Sequence, residues 1–565
     1  MLEGVAARSR ARRLRMVMDL ATVEASLLVR SVLVLAGLLA GGAVVWVLLS
    51  PTQPLWWNAG WRTNGGQLVL AMTVLAAAQL AAGRSRRDGM ADLYASFPAT
   101  RCTRTLAHLI GLAGAAPASL VLLGAAAVAV QLRGAIGAPS IAVLAGGLLL
   151  VIAAGAAGIA IGTRFPHPLA GVIGALMLFV TGATTHVASG AAIWLLPWEI
   201  VDDQLGSLPG PLAGYPPAGA HASELAGVAV LAGIVALALT VRSARARAAL
   251  AAAGLLAVAV ICLAGAMQLR PIPTAALNRL VSEVADPASV QQCTTAGQVR
   301  YCLYPGFGRD LPSLEAPVGE VLAHLPARPP QALTIRQATS LSLDSTFTHG
   351  HSQRQVSQWN AQLQRAPGNA GAATAVYLSV GSWPAGGGQL ADARFDVALA
   401  AADWAVRLPL PIGSGQACVP LDQAREAIAI WLAIVATHPP AGELTDGLRG
   451  PGGGMQAAEV QNTIVQVWSP PGIDAGYLTG SPPQFTAAGY LLARAMTSLP
   501  EQKVSQVLSG AWSTWVNQRT TDARLAAALG IPMPTVPTLP GPHPGLGAAT
   551  APGPGNAPQS PQCTT

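Results

Sequence analysis

A polytopic α-helical membrane domain followed by an α+β domain on the far side of the membrane is the fold class predicted here, on three observations. Charged residues make up 10% of the 565 residues and hydrophobic ones 52%, against about 25% charged in an ordinary soluble domain. The apolar residues of the first half gather into runs of roughly 20, the length that crosses a ~30 Å hydrocarbon layer at ~1.5 Å per residue. After Arg270 the composition changes: Asp, Glu, Gln, Ser and Arg are scattered regularly, and no later run is long enough to cross.

Residues 1–30 are expected to form a basic cytoplasmic segment, carrying Arg8, Arg10, Arg12, Arg13 and Arg15. The first apolar run starts only near residue 31 and others follow it, so this segment does not read as a cleavable signal peptide. The transmembrane domain, 31–268, is expected to hold seven spans at about 31–49, 67–83, 106–131, 140–162, 169–185, 224–241 and 248–268. Each is nearly free of charge, and a charge at the bilayer centre costs about 2.5–3.5 kcal/mol. The small-residue stretches GLAGAA, GAAAVAV and GVIGALM predict close helix packing. PTQPLWWNAGW, with Trp56, Trp57 and Trp61, reads as an aromatic belt on the first outer loop. IWLLPWE, with Trp194 and Trp198, reads either as a similar interfacial segment or as an ordinary surface loop.

Arginine placement predicts the orientation. Arg84, Arg86, Arg87, Arg101 and Arg104 follow the second span, Arg164 the fourth, and Arg242, Arg245 and Arg247 the sixth. The alternate loops hold only Arg62 and Arg133, and residues 186–222 have no Lys or Arg. Positive charge stays inside, so the N-terminus is expected inside and seven crossings place the chain after 268 outside. Cys293 and Cys302, with eight residues between them, then lie in an oxidising compartment where they can pair. Cys102 and Cys262 are expected as free thiols, while Cys418 and Cys563 either form a second bridge or stay unpaired.

The outer α+β domain, 270–530, shows helical spacing at 311–325 and 421–437 and short strands at 373–380 and 463–468. In SLPEQKVSQVLSGAWSTWV, Ser498 and Glu501 have capping-box spacing around Pro500, and Val504, Val507, Leu508, Ala511, Trp512 and Trp515 make one apolar face. Residues 531–565 hold ten prolines and almost no charge, the composition of a Pro/Gly-rich disordered tail.

Chemistry is sparse. Lys503 is the only lysine, and there is no G-x-x-x-x-G-K-[ST], so any ATP hydrolysis must come from a partner. H-E-x-x-H, C-x-x-C and G-x-S-x-G are missing too, which predicts no catalytic residue, no cofactor and no enzyme activity in the chain itself. Asp344, His349 and His351 in DSTFTHGHS have metal-like spacing, but Gly350 and the surrounding Ser and Thr favour a polar loop, and no metal is expected. His438 reads as a dipole partner at a helix end, and His108 and His186 lie near span ends where water reaches them. The net charge of +7 comes largely from the cytoplasmic arginines, which indicates anionic lipid and orientation rather than nucleic acid.

DLYASFPATRCTRTLAHLIG resembles the stretch between the second and third spans of actinobacterial ABC-2 type transporter permeases, where an acidic residue, a short helix, a proline and basic residues lead into the third span. PPAGAHASELAGVAVLAG, the RSARAR turn and a span ending AGAMQLRP look like the later part of such permeases. CTTAGQVRYCLYPGFGRDLPSLEAPVGEVLAHL and LPEQKVSQVLSGAWSTWVNQRTTDARLAAALGI look like the extracytoplasmic domain that some of them carry. The resemblance implies a permease subunit in the cytoplasmic membrane, paired with a separate cytosolic ABC ATPase and often dimeric, as a homodimer or with a second permease. It also implies an ATPase-coupling loop at Asp92, Leu93, Tyr94, Pro98, Arg101 and Arg104. Such permeases commonly have six spans, so a seventh with an outer domain departs from the pattern. The alternative is a membrane-anchored extracytoplasmic binding or assembly module without transport activity.

Overall fold

Long apolar helices fill the first half of the chain, and mixed α/β structure fills the second. The computed structural model describes residues 2–49, 55–90, 99–183, 195, 218–329, 332–338, 343, 348–364, 375–379, 388–408, 423–438, 454–460, 463–469 and 485–536. Two units are distinguished: Met1–Leu277 with Leu343–Ser357, and Asn278–Ser342 with Gln358–Thr565.

The helices of the first unit are α1 (Leu2–Val29), α2 (Val32–Leu49), α3 (Trp56–Arg87), α4 (Arg101–Gly111), α5 (Ala115–Leu132), α6 (Ile141–Arg164), α7 (Pro168–Ala183), α8 (Ala218–Ala238) and α9 (Ala244–Gln268). A single 3-10 turn, Leu112–Gly114, joins α4 to α5. Six stretches among the described residues are long and apolar enough to cross a membrane: Val32–Leu49, Arg62–Arg87, Arg101–Leu132, Ile141–Arg164, Ala218–Ala238 and Ala244–Gln268. The expected fifth span, 169–185, corresponds to α7, whose 16 residues extend about 24 Å and fall short of that length. Residues 1–30 are helical from Leu2 onward. Of the expected aromatic belt, Trp56 lies in the first turn of α3 and not in a loop, and it is buried with Val45, Leu49 and Leu122; the side chains of Trp57 and Trp61 lie outside the described residues. IWLLPWE and the rest of 186–217 lie outside the described residues, apart from Leu195.

Small residues decide how these helices meet. In a solvent as apolar as their own side chains, helices associate by close packing and interhelical hydrogen bonds. Added Cβ atoms at Gly158 and Gly162 of α6 would run into the Leu75 and Gln79 carbonyls of α3, and Gly155 faces Val74. Asn64 donates from Nδ2 to the Val143 carbonyl at 3.2 Å near the start of α6, and Gln79 donates to the Phe165 and His167 carbonyls, both 3.0 Å, just past its end. The order of these contacts makes α3 and α6 parallel. Gly171 and Gly174 of α7 face Gln79 and Leu75 in the reverse order, so α7 runs antiparallel to α3. His221, near the start of α8, lies beside Gly146, and Gly233 lies beside Leu109 of α4. α8 therefore runs with α6, and α9 returns against it through Gly227 with Ile261 and Gly254 with Ile234. GLAGAA and GVIGALM are thus close-packing stretches as expected, whereas Gly124 of GAAAVAV has nothing within 4 Å.

Arg62 and Arg133, the two arginines outside the basic loops, have a common partner. Arg62 donates to the Leu48 carbonyl at 2.8 Å and Arg133 to the Leu49 carbonyl at 2.6 Å, and Arg133 also lies 4.7 Å over the Trp46 ring. Both satisfy carbonyls left open at the C-terminus of α2, where the helix dipole favours cations.

The second unit is α+β. β1 (Gln292–Ala296) and β2 (Val299–Leu303) form an antiparallel hairpin whose turn places Gly297 at φ 61°. Cys293 lies directly opposite Cys302 in this register, and the two are disulfide-bonded. β3 (Leu333–Ala338) adds parallel to β2, and β4 (Ala375–Ser379) parallel to β3. A parallel pair requires a crossover, supplied between β2 and β3 by α11 (Leu311–Ala323), which follows α10 (Thr274–Ala285) in the chain. α12 (Gln353–Gln364) follows β3, and α13 (Gly388–Ala405) and α14 (Ala424–Thr437) follow β4. β5 (Gly454–Val460), β6 (Thr463–Ser469) and β7 (Phe485–Thr486) make an antiparallel sheet. α15 (Ala487–Thr497), α16 (Glu501–Gly510), the single turn α17 (Trp512–Trp515) and α18 (Asp522–Leu529) close the described chain. Ile428, Ile430, Trp431 and Leu432 of α14 are almost wholly buried.

The expected capping box at Ser498 does not form. Ser498 ends α15, its hydroxyl donating to the Ala495 carbonyl at 2.6 Å, and Pro500 precedes α16 without a side-chain cap. Val504, Leu508 and Trp515 are the buried members of the expected apolar face, which breaks at Ala511. Of the tail, 537–565 lies outside the described residues, as do Cys418 and Cys563.

Candidate functional site

The arginine-dense segment between α3 and α4 frames the candidate site. α3 ends with Arg84, Arg86 and Arg87 in its last turn, and Arg87 pairs with Asp88 at 2.9 Å. Gly89, at φ 70°, turns the chain away in a conformation that suits glycine. α4 starts at Arg101, capped by the Thr100 hydroxyl, which accepts from the Thr103 N–H at 3.1 Å. Arg101 and Arg104 are three apart and so share one face of the first turn. Of the expected coupling residues, these two are placed in the structure; Asp92, Leu93, Tyr94 and Pro98 lie outside the described residues.

A cavity of about 130 Å³ opens here, lined by Arg84, Arg86, Arg101 and Arg104 together with Glu24 and His108. α1 supplies Glu24 because Val17, Ala21 and Leu28 form its buried stripe, with Glu24 on the same face. The close approach of α1 depends on two glycines. A Cβ at Gly114 would come within 2.7 Å of the Ala25 carbonyl, and one at Gly111 within 3.1 Å of the Glu24 Cβ. Glu24 Oε2 is thereby set 3.3 Å from His108 Nδ1. Burial alone would raise the Glu24 pKa, but the His108 hydrogen bond and charge and the nearby Arg84 guanidinium outweigh it and hold the carboxyl below its ordinary value. Thr163 of α6 and Thr240, just past α8, also line the cavity, so the C-terminal ends of α3, α6 and α8 and the N-terminal end of α4 converge on it. Its chemistry is that of an anion receptor: guanidinium forks recognise planar oxyanions through paired N–H donors.

At the other end of the bundle, His221 Nδ1 lies 3.3 Å from Gln268 Oε1, and Gln268 Nε2 donates to Glu224. This pairing joins the start of α8 to the end of α9. In the second unit, α14 carries two buried ionisable residues side by side, Arg425 and Glu426. Arg425 donates to the Arg407 carbonyl at 2.6 Å, and Glu426 accepts from the Thr486 N–H at 2.8 Å and from its hydroxyl. Burial pushes Glu426 up to about 8 against the Thr486 hydrogen bonds, with Asp522 and Asp403 adding to the rise. Burial likewise raises Asp403 to about 8, opposed by Arg425.

His349 and His351 lie in a turn, the polar loop expected there and not a strand. Gly350 sits at φ 78° against Pro271, and His351 donates from Nε2 to the Ile272 carbonyl at 2.8 Å. Asp344 lies outside the described residues, among which no group of three or more His, Cys, Asp or Glu side chains is arranged to hold a metal. His438 occupies the C-cap of α14 at φ 46°, and Cys102 and Cys262 carry free thiols. Reading the sequence missed Glu24, the Glu224–Gln268–His221 set and the buried acids. Glu24 was legible only as the polar member of an apolar i, i+4, i+7, i+11 stripe, and the others give no local signal. Family models, curated proteins and solved structures give no match to this chain.

Proposed function

We propose that the chain is the membrane-spanning permease subunit of an ABC transporter, moving a substrate across the cytoplasmic membrane with ATP hydrolysed by a separate cytosolic ATPase. The observation that carries this reading is the convergence of the ends of α3, α4, α6 and α8 on one arginine-rich face. A partner pressing on the α3–α4 connection there acts at once on four helices of the bundle. Residues 92–104, with Arg101 and Arg104 on the first turn of α4, are the coupling segment of this reading. Helix directions support the orientation: α6 and α8 run parallel, so the chain must return between them, and α7 begins that return. The basic face is then cytoplasmic, α2 to α9 complete seven crossings, and the second unit is extracytoplasmic.

The test is co-purification of the full chain in detergent with candidate P-loop ATPases. Binding by one of them, lost when 92–104 is replaced with a Gly/Ser linker, is the expected result. Failure of every ATPase to bind, or binding that ignores the replacement, overturns the coupling reading and leaves the chain as an anchored extracytoplasmic module.

A further inference from the structure

Beside the arginine-lined cavity lies a second one of different character. A cavity of about 290 Å³ borders it and has Glu24, Ala81 and Arg84 in common with it. Leu27, Leu28, Leu33, Ala77 and Leu80 supply the apolar part of its wall, and Ser31 and Arg87, the latter paired with Asp88, complete it. The first compartment is therefore the richer in arginine and the second the richer in leucine, and both are bordered by Ala81 and Arg84.

Among its described lining residues, the first compartment carries more positive than negative charge. Glu24 is the one carboxylate among its described lining residues, and it is divided between the His108 ring and the Arg84 charge. Among the described residues, Arg84, Arg86 and Arg101 form no ion pair. Like charges held this close repel, so a bound anion lowers the energy of the site. Inorganic phosphate satisfies the cationic compartment alone, whereas a phospholipid fills both: its phosphate meets the guanidinium groups and its glycerol and acyl chain lie along the leucines.

We infer that this paired cavity is a binding site for an anionic phospholipid, headgroup phosphate among Arg84, Arg86 and Arg101 and acyl chain against Leu27, Leu28 and Leu80. The inference needs no ATPase, so it stands or falls separately from the permease reading. Native mass spectrometry of the full chain in detergent, titrated with phosphatidylglycerol or phosphatidylcholine, tests it. Saturable retention of phosphatidylglycerol over phosphatidylcholine is expected. The triple variant R84Q/R86Q/R101Q should weaken phosphatidylglycerol binding about a hundredfold, taking roughly fivefold per arginine. The charge-matched control R242Q/R245Q/R247Q should bind as the unaltered chain does. Should the triple variant fail to fold, Ala81→Phe decides the matter, because it fills the wall both cavities share without touching a charge and should still abolish retention. Equal binding by the altered and unaltered cavities, or equal losses in the control, overturns the site. Displacement of the lipid by millimolar inorganic phosphate, with Ala81→Phe binding normally, overturns the lipid assignment in favour of free phosphate.

Discussion

Glu426 shows how one residue ties the interior of the second unit to pH. Its carboxyl is enclosed by α14 and α15 and held by Thr486, and a Cβ at Gly489 would run into it. Its folded pKa of about 8 lies above the ordinary 4.5, so folding favours the protonated form. Asp403 acts in the same sense, rising from 3.8 to about 8. The stabilisation is complete below the unfolded values, declines as pH rises through the interval, and is gone above about 8. Hydrogen exchange of α14 amides in the full chain, corrected for intrinsic rates, should show opening at least about tenfold more frequent near pH 8.5 than near pH 5. Glu426→Gln should flatten about half of that dependence, Asp403 carrying the rest; an unchanged slope would place the titration elsewhere.

Among the elements, the α3–α6 seam carries the heaviest packing demand. Gly158→Val forces a branched side chain against the Leu75 carbonyl, an overpacking that costs about 1–3 kcal/mol or more. Thermal unfolding in detergent, followed by size-exclusion chromatography, should fall by several degrees for this variant, while Gly124→Val leaves it unchanged because nothing lies within 4 Å of that position. Such elements were only partly legible beforehand. Long charge-free runs mark spans without any knowledge of neighbours, and α2, α3, α5, α6, α8 and α9 all lie where those runs predict. Register is a property of two helices together, so GLAGAA and GAAAVAV looked alike although Gly111 and Gly114 meet the backbone of α1 and Gly124 meets nothing within 4 Å. Ser498 failed as a cap for a similar reason: the same hydroxyl suits the end of one helix and the start of the next, and α15 claims it. Cys293 and Cys302 were readable from their short separation and the oxidising side expected for them, and the hairpin that sets them opposite each other was not.

For the whole molecule, the proposed orientation makes a prediction about thiols. A membrane-impermeant maleimide applied to intact cells should leave Cys102 unlabelled, since it neighbours Arg101 on the basic face, and should label Cys293 and Cys302 only after an impermeant reductant. Labelling of Cys102 in intact cells would invert the orientation. The glycine seam has a wider consequence, which concerns substitution rather than stability. Leu255, Leu256 and Leu263 on α9 face outward with most of their surface exposed, so any apolar side chain that a lipid tail accommodates will serve there. Gly158 and Gly162 admit no side chain at all. A saturation library of this chain should therefore divide sharply, with α9 accepting most aliphatic replacements and the centre of α6 accepting almost none. Hydrophobicity, the property that first identified these helices, would be a poor guide to which of their residues can be exchanged.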